Sequence, residues 1–275
     1  MERYIGKKVT LMVVKIVEFG VYLGTEQDKV LLPAKQVPKG IELGDPVEVF
    51  IYRDSKDRLI ATVKEPAITL GEVKALKVKD AGRYGAFLDW GLEKDLLLPF
   101  REQTAKVKAG DECLVSLYVD KSGRLCATMK VYEKLRKDSP YKKDDRVQGR
   151  IYEISDNFGW FVAVDDTYCA LIPAREASGR HRVGDRIEAR VTAVKPDGKL
   201  DLSLREKAFI QMDLDAANLL EDLARRGGAY PFTDRADAGL IRQETGLSRN
   251  AFKRAVGRLL KEGRIEITDR EIRLK

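Results

Sequence analysis

A tetrapeptide of the form aromatic–Gly–apolar–aromatic occurs three times, as Phe19-Gly20-Val21-Tyr22, Tyr84-Gly85-Ala86-Phe87 and Phe158-Gly159-Trp160-Phe161. Each copy is followed by an apolar pair closed by proline: Leu31-Leu32-Pro33, Leu97-Leu98-Pro99 and Leu171-Ile172-Pro173. A Gly-Asp step comes next, at Gly44-Asp45, Gly110-Asp111 and Gly184-Asp185. Glycine to glycine the spacing is 65 and then 74 residues, and proline to proline it is 66 and 74. Landmarks that keep such offsets define an internal repeat, and a repeat this short confines the chain to small modules.

Within the first copy, Val9 to Val17 is a β-branched run too short for a stable helix. Gly20 interrupts it and Val21-Tyr22-Leu23 carries the strand direction on. Val30-Leu31-Leu32 ends at Pro33, which cannot donate to a ladder. Val47 to Tyr52 alternates apolar and polar as a half-buried strand does, and a turn at Asp54-Ser55-Lys56-Asp57 leads to Leu59–Val63. The second copy repeats this order from a first strand at Gly71–Val78, and the third ends in the alternation Lys199 to Arg205. Five short strands without room for parallel crossovers make a small antiparallel barrel, and the OB-type barrel fits this length best. The expected barrels span 1–66, 67–131 and 144–206. Between the last two, Tyr132 to Pro140 reads as a polar, basic linker with one helical turn, stopped by Pro140.

After Glu206 the periodicity becomes helical. Leu214, Ala217, Leu220, Leu223 and Ala224 mark a first helix ended by Gly227-Gly228, and Ala238, Leu240 and Ile241 a second ended by Gly246. Ser248 caps a third helix whose buried face is expected at Phe252, Val256, Leu259 and Leu260, with Gly263 closing it. Ile265–Thr268 and Glu271–Leu274 then form a two-strand hairpin. Three helices and a hairpin describe a winged helix over 213–275. The fold class is therefore mainly β with a small α+β end: three tandem five-stranded OB-type barrels followed by a winged-helix domain.

Charge narrows the partner. Lys and Arg number 51 against 44 Asp and Glu, a net +7, which favours a polyanion. No apolar run reaches the ~20 residues of a membrane span, and the N-terminus has no signal-peptide core. Cys113, Cys126 and Cys169 form no Cys-x-x-Cys pair and sit in strand-like sequence as small apolar fillers, so a reduced, cytoplasmic protein is expected. His181 is the sole histidine, which leaves no parts for a zinc HExxH site or a Ser-His-Asp triad, and there is no Walker-type glycine loop. No enzyme, cofactor or metal is expected.

The tetrapeptide, its strand order and the Gly-Asp step resemble the ribosomal protein S-one type RNA-binding domain in all three copies. Three such domains ahead of a winged helix resemble the bacterial conserved virulence factor B family over nearly the whole chain. The resemblance implies RNA binding on the barrels, without catalysis. The chain departs from the common domain pattern at the third strand. Many such domains have a His or aromatic residue near its end, whereas Leu31-Leu32, Leu97-Leu98 and Leu171-Ile172 stand here, so each platform lacks one partner.

Single-stranded nucleic acid offers one π-face per base and one charge per phosphate, so a tolerant binder needs exposed aromatics beside a basic groove. Strand alternation puts Val21 and Leu23 on one face and Gly20 and Tyr22 on the other, with glycine leaving room for a base to approach. Phe19 and Tyr22, Tyr84 and Phe87, and Phe158 and Phe161 are the expected RNA contacts; Trp160, at the Val21/Ala86 position, belongs to the core. The competing reading, that these aromatics only fill small barrels, does not account for their recurrence on one face. Arg58, Arg124, Lys199 and Arg205 are expected at phosphates, with Lys15, Arg83 and Arg150 as further candidates. From Thr245 to Lys275 nine Lys/Arg face four Asp/Glu, and Arg249, Lys253, Arg254 and Arg258 are the expected nucleic-acid contacts of the third helix. The expected partner is single-stranded RNA, in particular mRNA. Duplex DNA read by the third helix, a protein docked on the winged helix, or a protein docked on barrels that have lost RNA binding are the alternatives.

Overall fold

A computed structural model describes residues 1–177, 179–205 and 208–275, with the side chains of 208–211 left aside. The domain end expected at Glu206 lies outside the described residues. The chain divides into two compact units, Met1–Leu204 and Arg205–Lys275.

The first unit holds three copies of one five-stranded topology. In the first, β1 (Lys8–Val17), β2 (Gly20–Gly24), β3 (Lys29–Pro33), β4 (Pro46–Arg53) and β5 (Leu59–Thr62) close in the order β1-β2-β3-β5-β4. The second copy is β6 (Val73–Gly82), β7 (Gly85–Asp89), β8 (Leu96–Pro99), β9 (Glu112–Val119) and β10 (Leu125–Thr128), a five-stranded sheet in the corresponding order β10-β9-β6-β7-β8, with β10 lying beside β8 without a strand pairing between them among the described residues. The third is β11 (Arg146–Ser155), β12 (Gly159–Val164), β13 (Tyr168–Pro173), β14 (Arg186–Val194) and β15 (Leu200–Ser203), again closed. The barrels are not wholly antiparallel as expected. Closure is by a short parallel pairing, Leu31 with Ile60 in the first barrel and Ala170 with Leu200 in the third.

The sequence landmarks have structural causes. Gly20, Gly85 and Gly159 are buried with φ of +149°, +148° and +111°, and a Cβ on any of them would collide with the carbonyl oxygen of Leu32, Leu98 or Ile172. They are glycines because a carbonyl of the neighbouring antiparallel strand fills the place of a Cβ, which corrects the expectation that they admit a base. Each first strand carries a bulge, where register shifts between Val13 and Lys15, Val78 and Asp80, and Ile151 and Glu153. The Gly-Asp step ties down that bulge: Gly44 N–H donates to Val13 O at 2.8 Å, Gly110 to Val78 O at 2.9 Å, and Gly184 to Ile151 O at 2.7 Å.

Burial departs from simple alternation where barrels meet. Phe50, Ile51 and Tyr52 of β4 are all buried, because Ile51 faces its own barrel while Phe50 and Tyr52 pack with Trp90 in the core of the second. Phe50 and Trp90 meet edge-on at 5.8 Å. Nor is the stretch after Lys130 a free linker. A 3-10 turn at Tyr132–Lys134 is pinned by buried Val131 and Leu135, which share a cluster with Leu114 of β9 and with Tyr152, Ala163 and Cys169 of the third barrel. Arg150, expected at phosphate, is 1% exposed. Its guanidinium donates to Glu112 at 2.8 Å and to Asp166 at 2.9 Å, joining second and third barrels. The three cysteines are free and buried, and burial pushes the Cys113 thiol up to about 12.

The second unit is a winged helix with α1 (Ala208–Arg225), α2 (Ala238–Thr245) and α3 (Arg249–Lys261). Its hairpin, β17 (Ile265–Ile267) and β18 (Ile272–Leu274), gains a third strand, β16 (Ala229–Tyr230), absent from the sequence reading. The inward face of α1 runs through Ala216, Leu219 and Leu223, while Leu214, Ala217 and Ala224 are exposed, so the expected stripe is largely displaced. On α3, Leu260 is likewise exposed and Ala255 is buried with Phe252, Val256 and Leu259. The Ser248 hydroxyl accepts from Ala251 N–H as an N-cap, and Gly263 takes the left-handed conformation just past the helix. Among the described residues no helix is long and apolar enough to cross a membrane.

Candidate nucleic-acid interface

The short turn between the first two strands of each barrel lifts one aromatic clear of the surface. Phe19, Tyr84 and Phe158 are 59%, 68% and 63% exposed. The second aromatic of each motif lies within the next strand and is half-buried: Tyr22 pairs across to Leu31, Phe87 to Leu97, and Phe161 to Leu171. Phe19 and Tyr22 stand edge to face at 6.4 Å, as do Phe158 and Phe161 at 6.3 Å. Trp160 points the other way, 7% exposed, with its ring 5.0 Å from that of His181.

The turn before the last strand brings the basic residue to the same place. In the second barrel Tyr84, Phe87, Leu97, Lys94 and Arg124 line a groove of about 560 Å³. In the third, Phe158, Phe161, Leu171, Lys195 and Lys199 line one of about 530 Å³, together with Tyr132. Both volumes fall among those of ligand sites (roughly 300–1,000 Å³). Arg58 occupies the matching turn of the first barrel.

Each of these cations has a carboxylate beside it. Arg58 holds Asp54 at 2.7 Å, Arg124 lies 3.7 Å from Asp120, and Lys199 is 2.7 Å from Asp197. Burial alone would raise the Asp54 carboxyl, but hydrogen bonds from Arg58 outweigh it and the net shift is downward. The hydrogen bond to Asp197, then that to Tyr132, raises the Lys199 ammonium above its ordinary value. The position flanking the second aromatic differs among barrels: Lys15 faces Tyr22, Asp80 faces Phe87, and Glu153 faces Phe161.

Arg83 and Lys15 are exposed, and the Arg83 guanidinium lies 5.8 Å from the Tyr84 ring. Arg205 is exposed just past β15 and is not among the residues that line the third groove. Four participants were missed in the sequence: Lys94 and Lys195 in the groove linings, Tyr132 and Asp57. Tyr132 comes from the connector, outside the repeat. Asp57 of the first barrel reaches Lys94 at 3.3 Å and Arg124 at 3.5 Å, bordering the second groove. Their only sequence signal was position beside the repeat landmarks.

On α3, Arg249, Lys253 and Arg254 are exposed, and among the described residues none of them is in an ion pair. Arg258 differs from them: it is engaged by Asp213 of α1 and, at 2.8 Å, by Glu262, so it fastens the unit together. Among the described residues no group of three His, Cys, Asp or Glu is arranged to hold a metal.

Comparison with known proteins matches residues 5–64 and 70–130 to the S1 domain, residues 132–206 to the second domain of the virulence regulatory factor CvfB, and residues 217–274 to the CvfB-like winged helix domain. The protein YitL of Bacillus subtilis (strain 168) is 34% identical over 94% of this chain and 90% of its own. Conserved virulence factor B of Staphylococcus epidermidis is 29% identical over 85% of this chain and 81% of its own. The fold is shared with a crystal structure of a Streptococcus pneumoniae multidomain protein with nucleic acid binding domains, which covers 99% of both chains at a TM-score of 0.54 and 22% identity.

Proposed function

The chain belongs to the CvfB family, and from that premise we propose that it is a non-enzymatic RNA-binding protein, a post-transcriptional regulator that holds single-stranded mRNA on its barrel grooves. One observation supports this reading most. Each barrel sets an exposed aromatic, a half-buried aromatic and a Lys or Arg at equivalent positions of the repeat, where the residues of a closed core would not be exposed. Aromatic faces take bases of any sequence and cations take phosphates. The S1 domain matches over the first two barrels support the same class of ligand. Arg249, Lys253 and Arg254 of α3 add a second cationic surface, which contributes affinity or positioning.

Phe158→Ala tests the reading, since a side chain 63% exposed can be removed with little loss of stability. One lost stack weakens single-stranded RNA binding roughly 5- to 150-fold while thermal unfolding stays in place. Unchanged affinity would count against the grooves. Competition separates the duplex-DNA reading: excess duplex DNA leaves the RNA complex intact, and its preferential loss would instead favour DNA recognition through α3.

A further inference from the structure

Among the described residues, two aromatic side chains line the groove of the second barrel and three line that of the third. The additional one is Tyr132, which the repeat does not encode. We propose that Tyr132 is a base-binding residue, forming a third aromatic wall that makes the third groove a nucleoside pocket for one base of single-stranded RNA. This rests on the RNA-binding reading above.

Tyr132 is held in place before any ligand arrives. Val131 and Leu135 on either side are 0% and 4% exposed. Arg136 N–H donates to Thr167 O and Cys169 N–H to Arg136 O, both at 2.9 Å, so the segment is stitched to the start of β13. Its ring meets Phe161 edge-on at 6.1 Å, and Phe161 in turn lies 6.3 Å from exposed Phe158. The three rings form a continuous aromatic surface over Leu171 and Ala170. A wall fixed in this way loses little freedom on binding.

The occupant follows from what surrounds the rings. The Lys199 and Lys137 ammonium groups lie 5.4 and 5.9 Å from the centre of the Tyr132 ring, and Lys195 stands on the same rim. Glu153 and Asp197 also line the groove and supply acceptors for base N–H groups. An apolar peptide side chain would use the rings alone and nothing of the charged rim, where Lys199 already pairs with Asp197 at 2.7 Å and Lys195 with Asp201 at 3.0 Å. A nucleotide uses all three kinds of group: stacking faces, acceptors for the base edge and cations for the phosphate.

The experiment titrates the full chain with a fluorescently labelled single-stranded RNA of about a dozen nucleotides, within the span that OB folds cover. Tyr132→Leu keeps apolar packing against Phe161 but removes the π-face, and is expected to weaken binding at least 5-fold. Tyr132→Phe keeps the face and is expected to bind within about twofold of the parent, since a lost stack is what costs 5-fold or more. Photocrosslinking of the unaltered protein to the same RNA carrying 4-thiouridine is expected to mark the peptide containing Tyr132. That measurement decides the matter even where a substitution perturbs folding. Unchanged affinity in folded Tyr132→Leu, or no crosslink at that peptide while others form, overturns the proposal. An equal loss in Tyr132→Phe overturns it too, because the hydroxyl and its contact with Lys199 would then be the active part. If the full chain binds no single-stranded RNA, the RNA-binding reading of the barrels fails, and this one with it.

Discussion

Phe158 exposes most of its ring while its neighbour Gly159 is buried at a φ of +111°, so the two fail differently when changed. An alanine methyl at Gly159 runs into the Ile172 carbonyl and must also hold a left-handed backbone, which costs about 1–3 kcal/mol before any clash is counted. Gly159→Ala is therefore expected to lower the urea midpoint markedly and to leave RNA affinity of the folded fraction unaltered. Loss of affinity in a fully stable Gly159→Ala would instead restore the glycine to the binding surface. The same division holds on α3. Lys253→Glu together with Arg254→Glu is expected to weaken nucleic-acid binding, and to flatten its salt dependence, without destabilising the fold. Arg258→Ala, which strips partners from Asp213 and Glu262, is expected to lower the thermal midpoint of the winged helix.

The turn joining β4 to β5 serves two barrels. It carries Arg58 of its own barrel and extends Asp57 to Lys94 and Arg124 of the next, so on the proposed RNA-binding reading Asp57 competes with phosphate for those two cations. Asp57→Asn keeps the shape and, because Asn tolerates a φ of 58°, the turn. Exposed pairs of this kind contribute about 0.2–1 kcal/mol, so RNA should bind up to roughly fivefold more tightly in low salt, with the gain vanishing in high salt. Equal affinity at both salts would show that Asp57 does not compete with phosphate. Strand order and the groove aromatics were legible in the sequence because the period of two and the repeat offsets are local properties. What periodicity reports is which residues share a face, not what that face meets. Hence Phe50 and Tyr52 of β4, the anchoring of Tyr132 and the inward face of α1 escaped it: each is set by a neighbouring element, as Leu114 sets Val131 and Leu135. Glycine at the motif was legible as a constraint, but its cause, a carbonyl from another strand, was not.

Within the first unit the barrels are joined through core residues, and at the second junction through a charge hub as well. Phe50 and Tyr52 enter the core that contains Trp90, and the Thr104 hydroxyl donates to Tyr152 O at 2.6 Å between second and third barrels. Arg150 completes that second junction, with its side chain 2% exposed and its partners Glu112 and Asp166 at 44% and 34%. Arg150 is buried but its partners are reached by water, so Arg150→Ala removes packing and charge-assisted hydrogen bonds rather than stranding buried charges, and is expected to destabilise the unit by about 1.5–3 kcal/mol. Glu112 makes the junction sensitive to acid. The Arg150 hydrogen bond, outweighing burial, holds its carboxyl below the ordinary 4.5. The unfolded chain then binds the proton more readily than the folded one. The contribution of Glu112 to stability is complete above pH 4.5 and falls away as the pH drops through the lowered folded value. Unfolding midpoints measured from pH 7 down to pH 3 should therefore decline less steeply in Glu112→Gln than in the parent, the two curves converging in acid. Parallel curves would place the acid sensitivity elsewhere, in the groove carboxylates Asp54, Asp120 and Asp197, which are also held low. Because the hub lies at the junction, Arg150→Ala should also weaken RNA that spans the second and third grooves more than RNA short enough for one, since a loosened junction lowers the effective concentration of the second site.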